Sequence, residues 1–240
     1  MNTIEFVLNL LYPPKCLSCG ELLWPNESLP ICHQCLAEWE KLKKVRCKVC
    51  RKPHAACDCS TPILQDMKVG VCHIVPYSRD TVAGKLLLIA KDERLPRLTD
   101  FFADELAQLL SKRFSIGDPS AWRITYLPRG RQRALENGVD QGRALAKALG
   151  KRLNLSVVTV YRRRNSTAQK DLKTAEARLR AARRSYRLKK RIADLAGKKI
   201  LLVDDIFTTG STMIAGAELL RSVGVEEIYC ITVGKSEKSI

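Results

Sequence analysis

The sequence of 240 residues predicts an α/β protein, built on a mostly parallel, Rossmann-like sheet with flanking helices and preceded by a small metal-stabilised module. Short apolar, β-branched segments alternate with helix-length segments after residue 62, which predicts the sheet. One of those segments runs into a glycine- and hydroxyl-rich turn. Eight of the ten cysteines lie within the first 59 residues, which predicts the metal module. We therefore expect two parts, residues 1–62 and residues 63–240.

The cysteine-rich part contains four close pairs: Cys16 and Cys19, Cys32 and Cys35, Cys47 and Cys50, and Cys57 and Cys59. A C-x-x-C turn brings two sulfurs to one tetrahedral ion, and two such turns complete a structural site. Two Zn²⁺ ions are therefore expected. The quartets are either sequential or cross-braced, with the second and third pairs exchanged. His33 and His54 are alternative ligands, although beside complete cysteine quartets they are expected to be bystanders.

Residues 1–11 form an apolar run that is too short to span a bilayer and contains Glu5 rather than a basic start. They are interpreted as an amphipathic helix that packs on the protein. Without a membrane span or a signal peptide, we expect a cytoplasmic protein with reduced thiols. Cys72 and Cys230 lie in apolar segments and are expected in the core.

The second part is predicted to alternate strands and helices. The predicted strands are Val69–Val75, Trp122–Leu127, Val157–Tyr161, one beginning with Lys199–Val203, and Glu226–Val233. The predicted helices are Thr81–Ala90, Leu98–Lys112, Gln141–Leu153 and Met213–Val223. In such a sheet, ligands bind at the carboxyl ends of the strands.

The fourth predicted strand ends in Asp204 and Asp205 and is followed by the hydroxyl-rich turn, residues 208–212. The turn consists of Thr208, Thr209, Gly210, Ser211 and Thr212. Gly210 permits a close backbone approach, and amides at a helix N-terminus bind phosphate. The two carboxylates suit sugar hydroxyls, with Mg²⁺ nearby. An ordinary helix N-cap would explain one of these residues but not the whole set.

This motif, Asp204-Asp205-x-x-Thr208-Thr209-Gly210-x-Thr212, resembles the phosphoribosyl pyrophosphate motif of type I phosphoribosyltransferases. The resemblance implies that the carboxylates hold ribose hydroxyls and that the turn cradles the 5′-phosphate. Together with the paired cysteine motifs and Pro13-Pro14, it makes the whole chain similar to the ComF family. A type I phosphoribosyltransferase fold behind a double zinc ribbon is then expected.

The resemblance also assigns a pyrophosphate loop, with candidates Arg129, Arg131, Arg133, Gly138 and Gln141. Gly138 and Gln141 match the family pattern, whereas its Arg, Phe and Asn positions do not. Asp140 is a further departure that is expected to weaken anion binding. Lys91 matches a lysine of the family. Thr167 and Gln169 are candidates for a mobile loop that closes over the ligand.

Residues 162–191, here the basic segment, contain thirteen basic and two acidic side chains. Apolar residues recur in it at helical spacing, which predicts an amphipathic helix with a basic outer face. The nucleic-acid candidates are Arg178, Arg180, Arg183, Arg184 and Arg187. Tyr161 and Tyr186 are the only aromatic residues nearby, which favours contact with phosphates over base stacking; a solvated face without a partner is the alternative.

The net charge of +17 favours anionic partners. ComF resemblance implies a protein that binds phosphoribosyl pyrophosphate and single-stranded DNA during DNA uptake in natural transformation, together with proteins of the uptake machinery. Two alternatives remain: an active phosphoribosyltransferase that modifies a nucleobase or amine, and a regulator whose ribose-donor site controls nucleic-acid binding.

Overall fold

A computed structural model describes residues 12–24, 27–92, 95–129, 140–164, 174–190 and 195–236. Its helices are α1 (His33–Lys44), α2 (Pro62–Asp66), α3 (Val82–Asp92), α4 (Pro96–Arg113), α5 (Gln141–Leu153), α6 (Ala175–Ser185) and α7 (Ser211–Arg221). Its strands are β1 (Gly70–Tyr77), β2 (Trp122–Tyr126), β3 (Tyr161–Arg163), β4 (Tyr186–Leu188), β5 (Lys199–Phe207) and β6 (Glu227–Ser236). The predicted helix of residues 1–11 lies outside the described residues.

The main sheet has four parallel strands in the order β1-β6-β5-β2. The predicted parallel α/β fold is therefore confirmed. All four carboxyl ends lie along one edge of the sheet, so the turn after β5 is flanked by the ends of β6 and β2.

Alternate residues of β5 pack on opposite faces of this sheet. Leu201 and Val203 belong to the apolar cluster that contains α4 and α5, whereas Ile200 and Leu202 belong to the cluster that contains α7. Both faces are covered, which explains why the strand is apolar from Ile200 to Val203. Cys72 and Cys230 are buried in these clusters, as predicted.

Local sequence signals set several helix boundaries. The carboxylate of Asp140 accepts a hydrogen bond from the amide of Arg143 at 3.2 Å and caps α5, which ends at Asn154 in a left-handed conformation with φ of 53°. The hydroxyl of Thr174 caps α6 by accepting from the amide of Ala177 at 3.1 Å. Gln141–Leu153 is the helix that the sequence predicted.

The predicted bounds of the strand Val157–Tyr161 are wrong. Val157 forms only an isolated bridge to Ile124, and the regular strand begins at Tyr161. Two hydrogen bonds join this stretch to β2, at Ser156 and Val158, before the chain leaves the main sheet and pairs with β4. Pairing with a distant segment decided where the strand lies.

The basic segment is also not one helix. Its helix α6 ends at Ser185, and the next three residues form β4, which pairs antiparallel with β3. Arg187 therefore lies on a strand, directly opposite Arg162. Tyr186 continues the helical spacing of apolar residues in the sequence. In the structure it is the first residue of β4, and its side chain is buried there.

The cysteine-rich part packs onto the sheet domain through α1. Trp39 is fully buried and contacts Phe101 and Phe102 of α4, with ring centroids 5.1 and 5.9 Å away. Its indole nitrogen donates to Glu105 at 2.9 Å. The two parts thus share one apolar core. None of the helices in the described ranges combines the length and the apolar character needed to cross a membrane.

Candidate functional site

The eight clustered cysteines form two compact quartets. Their members are Cys16, Cys19, Cys32 and Cys35 in the first quartet, and Cys47, Cys50, Cys57 and Cys59 in the second. Within each quartet all Sγ atoms lie within 4.8 Å of one another. Four sulfurs around Zn²⁺ at about 2.3 Å would be separated by roughly 3.8 Å, so both quartets fit a tetrahedral ion. This geometry selects the sequential grouping over the cross-brace.

The surroundings of the first cysteine in each quartet favour its thiolate form. Burial alone would raise the pKa of Cys16, but backbone amides of Cys19 and Cys32 lower it to about 7. Cys47 behaves alike: burial opposes ionisation, and amides of Cys50 and Val49 bring its pKa to about 7. Amides that point at sulfur stabilise its negative charge, which metal binding requires.

Neither histidine that the sequence raised as a ligand belongs to a quartet. His33 is exposed. His54 is buried, and its Nδ1 lies 3.0 Å from Nε2 of His73 on β1. Burial, then the charge of Lys235, hold the pKa of His73 well below its ordinary value. These two rings therefore belong to the junction between the cysteine-rich part and the sheet.

The hydroxyl-rich turn connects β5 to α7 and has the predicted shape. Gly210 adopts φ of 71°, a left-handed conformation that favours glycine, and α7 begins at the next residue. The hydroxyls of Thr209 and Ser211 lie 2.8 Å apart. A small pocket lies at this helix start, lined by Asp204, Ile206, Phe207, Thr208, Gly210, Ser211, Thr212 and Met213. Amides at the first turn of a helix attract an anion there.

Asp204 and Asp205 differ in their surroundings although they are adjacent. Burial, and then the neighbouring carboxylate of Asp205, raise the pKa of Asp204 to about 8. Asp205 faces two cations: Nζ of Lys91 and a guanidinium nitrogen of Arg129 each lie 3.6 Å from its carboxylate. One acid thus has a raised pKa, whereas the other has cationic partners.

Arg129 connects the β2 end of the sheet edge to this pair of acids. It donates to the carbonyl of Lys91 at 2.8 Å and to the side chain of Gln141 at 3.1 Å. Of the predicted pyrophosphate-loop residues, the structure therefore brings Arg129 to Asp205 and Gln141 to Arg129. Arg131, Arg133 and Gly138 lie outside the described residues, as do Thr167 and Gln169 of the predicted mobile loop.

Asp140 has a structural position that the sequence comparison did not reveal. Its carboxylate caps α5 and lies 3.4 Å from the amide of Arg129. Burial raises the pKa of Asp140, and the amides and charges of Arg143 and Arg129 oppose that rise. Asp140 therefore orders the start of α5 and also the backbone of Arg129, whose side chain reaches Asp205.

The candidate nucleic-acid residues are spread over α6 and β4. Arg180 and Arg184 are exposed. Arg183 is exposed too but forms two hydrogen bonds with Glu218 of α7, at 2.9 and 2.5 Å. Arg178 is half-buried in α6.

The structure removes the two tyrosines from any contact with bases. Tyr161 is buried and its hydroxyl donates to the carbonyl of Gly216 at 2.9 Å. Tyr186 is buried as well, and Arg163 lies over its ring at 5.3 Å. Arg187 donates to the carbonyl of Arg183 at the end of α6. The described basic segment therefore exposes mainly arginine and lysine side chains, with Glu176 at the start of α6 as an exposed acid.

The sequence analysis missed two residues beside the hydroxyl-rich turn: Lys235, which lies over the ring of Phe207 just before the turn, and Thr61, which lies close to Gly210. Lys235 is buried near the end of β6, and Thr61 lies between the second quartet and α2. A lysine at the end of the apolar run 231–234 was the available signal for the first. Thr61 gave no signal, because its contact with Gly210 depends on how the two parts pack.

Two family models match the chain. Residues 7–73 match a double zinc ribbon domain, and residues 135–238 match a phosphoribosyl transferase domain. Competence protein ComFC from Streptococcus pneumoniae is 24% identical over 89% of this chain and 96% of its own length. A ribose-phosphate pyrophosphokinase from Thermococcus kodakarensis is 56% identical over 36 residues, so the chain spans only 13% of that relative.

Solved structures that align with part of this chain include two phosphoribosyltransferases. A hypoxanthine phosphoribosyltransferase from Staphylococcus aureus aligns with a TM-score of 0.38 and 20% identity, covering 57% of this chain and 72% of that one. An adenine phosphoribosyltransferase from Thermoanaerobacter pseudethanolicus aligns with a TM-score of 0.39 and 20% identity, covering 63% and 73%.

Proposed function

We propose that this ComFC-like protein, a double zinc ribbon joined to a phosphoribosyl transferase domain, binds phosphoribosyl pyrophosphate or a related ribose phosphate and also single-stranded DNA. The observation that carries the proposal is the start of α7, where Gly210 and a row of hydroxyls surround a small pocket beside two acids. Its action in DNA uptake is inferred from the similarity to ComFC along most of the chain.

The 5′-phosphate is placed at the first turn of α7. Free amides and the positive end of the helix dipole stabilise a dianion there, and the hydroxyls of Thr208 and Thr212 add hydrogen bonds. The ribose lies towards Asp204 and Asp205, whose oxygens accept hydrogen bonds from its hydroxyls. The adjacent cations support this direction, because Lys91 and Arg129 attract the pyrophosphate on the β2 side of the sheet edge.

Mg²⁺ is part of the proposal, since the two carboxylates offer the oxygen ligands that this ion prefers. When bound with the ligand, the ion would neutralise part of the pyrophosphate charge. The raised pKa of Asp204 implies that this acid ionises when a cation or a sugar hydroxyl compensates its charge.

The first experiment titrates the protein with phosphoribosyl pyrophosphate and Mg²⁺ by calorimetry. Asp205→Asn should weaken binding at least tenfold, while Asp66→Asn, an exposed control, should change it less than twofold. Unchanged binding by Asp205→Asn would reject the ribose assignment. Pyrophosphate release measured with each nucleobase separates the binder from the active transferase, which the cations beside Asp205 would serve by stabilising a leaving pyrophosphate.

The DNA contact is proposed to be electrostatic, through phosphates. With Tyr161 and Tyr186 buried, described residues of the basic segment offer cations rather than stacking surfaces. Arg180 and Arg184 are the exposed arginines to test, because Arg183 pairs with Glu218. Replacing Arg183 would also break its ion pair with Glu218, which would complicate the comparison.

The second experiment measures single-stranded DNA affinity against salt for Arg180→Ala with Arg184→Ala. Loss of two phosphate contacts should reduce the slope of log K against log salt by about 1.4. Lys147→Ala with Lys151→Ala on α5 removes the same charge from another exposed face and serves as the control. Equal effects of the two double variants would show that DNA affinity depends only on the net charge of the protein. Repeating the titration with phosphoribosyl pyrophosphate tests the regulator, because coupling between two ligands is reciprocal.

A further inference from the structure

Two cationic side chains of the sheet domain hold the backbone of the second quartet. Arg113 donates to the carbonyl of Cys57 at 3.1 Å. Lys235, at the carboxyl end of β6, donates to the carbonyl of Cys59 at 2.6 Å. Lys235 is only 2% exposed, so its ammonium group has been removed from water to make this contact.

A buried ammonium group needs compensation. Four thiolates around one Zn²⁺ carry a net charge of −2, and the second quartet would place that charge beside Lys235. On the other side, the Lys235 ammonium lies 5.9 Å from the ring centroid of Phe207. Lys235 therefore lies between the second metal site and the last residue of β5, its partner in the sheet register.

Phe207 in turn supports the hydroxyl-rich turn. A Cβ atom added to Gly210 would lie 2.7 Å from Cζ of Phe207 and 3.2 Å from the methyl carbon of Thr61. Thr61 follows the second quartet by two residues, so the chain that leaves this metal site packs directly against the turn. Two separate contacts, through Lys235 with Phe207 and through Thr61, thus join the second quartet to Gly210.

The first quartet has a different environment. Cys16, Cys32 and Cys35 belong to the apolar cluster of α1 and α4, whereas Phe207 belongs to the cluster on the other face of the sheet. The two metal sites are therefore not equivalent towards the turn. This difference provides an internal control.

We propose that Lys235 is a positioning residue that couples the second quartet to the hydroxyl-rich turn, so that zinc at this quartet, but not at the first, keeps the turn shaped for an anion. The inference rests on the proposed ribose-phosphate site. It assigns the second zinc a role in ligand binding beyond stabilising its own loop.

The first test compares Cys59→Ser with Cys19→Ser in the full-length protein, since each removes one ligand from one quartet. Zinc content is measured by mass spectrometry, and hydrogen exchange is followed in the peptide that covers residues 207–213. Cys59→Ser should accelerate exchange in that peptide at least tenfold and weaken ribose 5-phosphate binding about tenfold. Cys19→Ser also removes a zinc ligand and serves as the reference: both of its effects should be at least fivefold smaller than those of Cys59→Ser. Equal effects of the two variants would overturn the proposal.

A second pair of variants leaves every zinc ligand in place. Lys235→Met keeps the apolar stem against Phe207 but removes the donor to Cys59, whereas Lys235→Arg retains a donor. With two zinc ions bound, the Met variant should still lose protection at residues 207–213, and the Arg variant should recover most of it. Wild-type exchange in the Met variant would contradict the assignment of Lys235.

The exchange readout does not depend on ligand binding, so it separates the two ideas. If the wild type fails to bind ribose 5-phosphate but Cys59→Ser and Lys235→Met accelerate exchange, the coupling stands and the proposed function falls. If ribose 5-phosphate binds and neither variant affects exchange or affinity, the proposed function stands and the coupling falls.

Discussion

Asp204 shows most clearly how a residue of the proposed ligand site can lower the stability of the ligand-free fold. Its carboxyl group is shielded from water beside Asp205, so folding shifts its pKa from 3.8 to about 8. The unfolded chain releases this proton near pH 4, whereas the folded protein retains it. Stability from this group is therefore present at low pH and falls as the pH rises from about 4 to 8.

Asp204→Asn should consequently stabilise the ligand-free protein. Asparagine keeps an oxygen that can accept from the amide of Asp205, as Asp204 does at 2.9 Å, but it cannot ionise. Each unit of pKa shift corresponds to about 1.4 kcal/mol, so the gain at pH 8 has an upper limit of about 5 kcal/mol, with a matching rise in melting temperature, and is much smaller at pH 4. Melting curves across this pH range measure the difference; a constant difference, or a loss, would contradict the assigned titration.

The turn between β5 and α7 is the element on which the proposed ligand site depends. Gly210 combines a positive φ with contacts from Phe207 and Thr61 that leave no room for a side chain. The sequence predicted the first requirement from the motif. The second arises because residues from two distant parts of the chain pack on the same atom.

Gly210→Ala should therefore impair both stability and binding. The strained backbone and the close contact with Phe207 together should cost about 1–3 kcal/mol. Ribose 5-phosphate binding should fall at least tenfold, because the amides at the start of α7 move. Gly117→Ala is the control, since an added Cβ atom meets nothing within 4 Å there. Calorimetry and melting curves that show no difference between these variants would refute the requirement for glycine.

At the scale of the whole molecule, the cysteine-rich part and the sheet domain are packed as one body. Trp39 of α1 is buried among aromatic residues of α4, and cysteines of the first quartet belong to the same apolar cluster. The expected division at residues 62 and 63 remains a prediction about sequence organisation. Because the core is shared, we expect the two parts to unfold together.

Trp39→Ala should lower the stability of the entire chain by about 3–5 kcal/mol and keep a single unfolding transition. Trp24→Ala removes the same side chain from a position that is 81% exposed and should change stability by less than about 0.5 kcal/mol. Differential scanning calorimetry distinguishes the outcomes. Two separate transitions in the wild type would show that the parts fold independently.

The sequence by itself determined the cysteines that form the two quartets, the parallel sheet and the turn at Gly210. Cysteine spacing, strand apolarity and a glycine before a helix are local signals, because each reports a constraint on neighbouring residues. The basic segment was harder: its helical spacing continued into Tyr186, whose burial comes from a strand pairing that local periodicity does not encode.

Only the tertiary structure decided which residues meet at the site. The sequential grouping of the quartets, the convergence of Lys91 and Arg129 on Asp205, and the position of Lys235 between Cys59 and Phe207 all join residues far apart in the chain. Such contacts depend on how the zinc ribbon and the sheet pack, and their energies are set by burial and charge in the folded state. The sequence shows which charged and sulfur-containing side chains are present, but the distances between them are set by the folded structure.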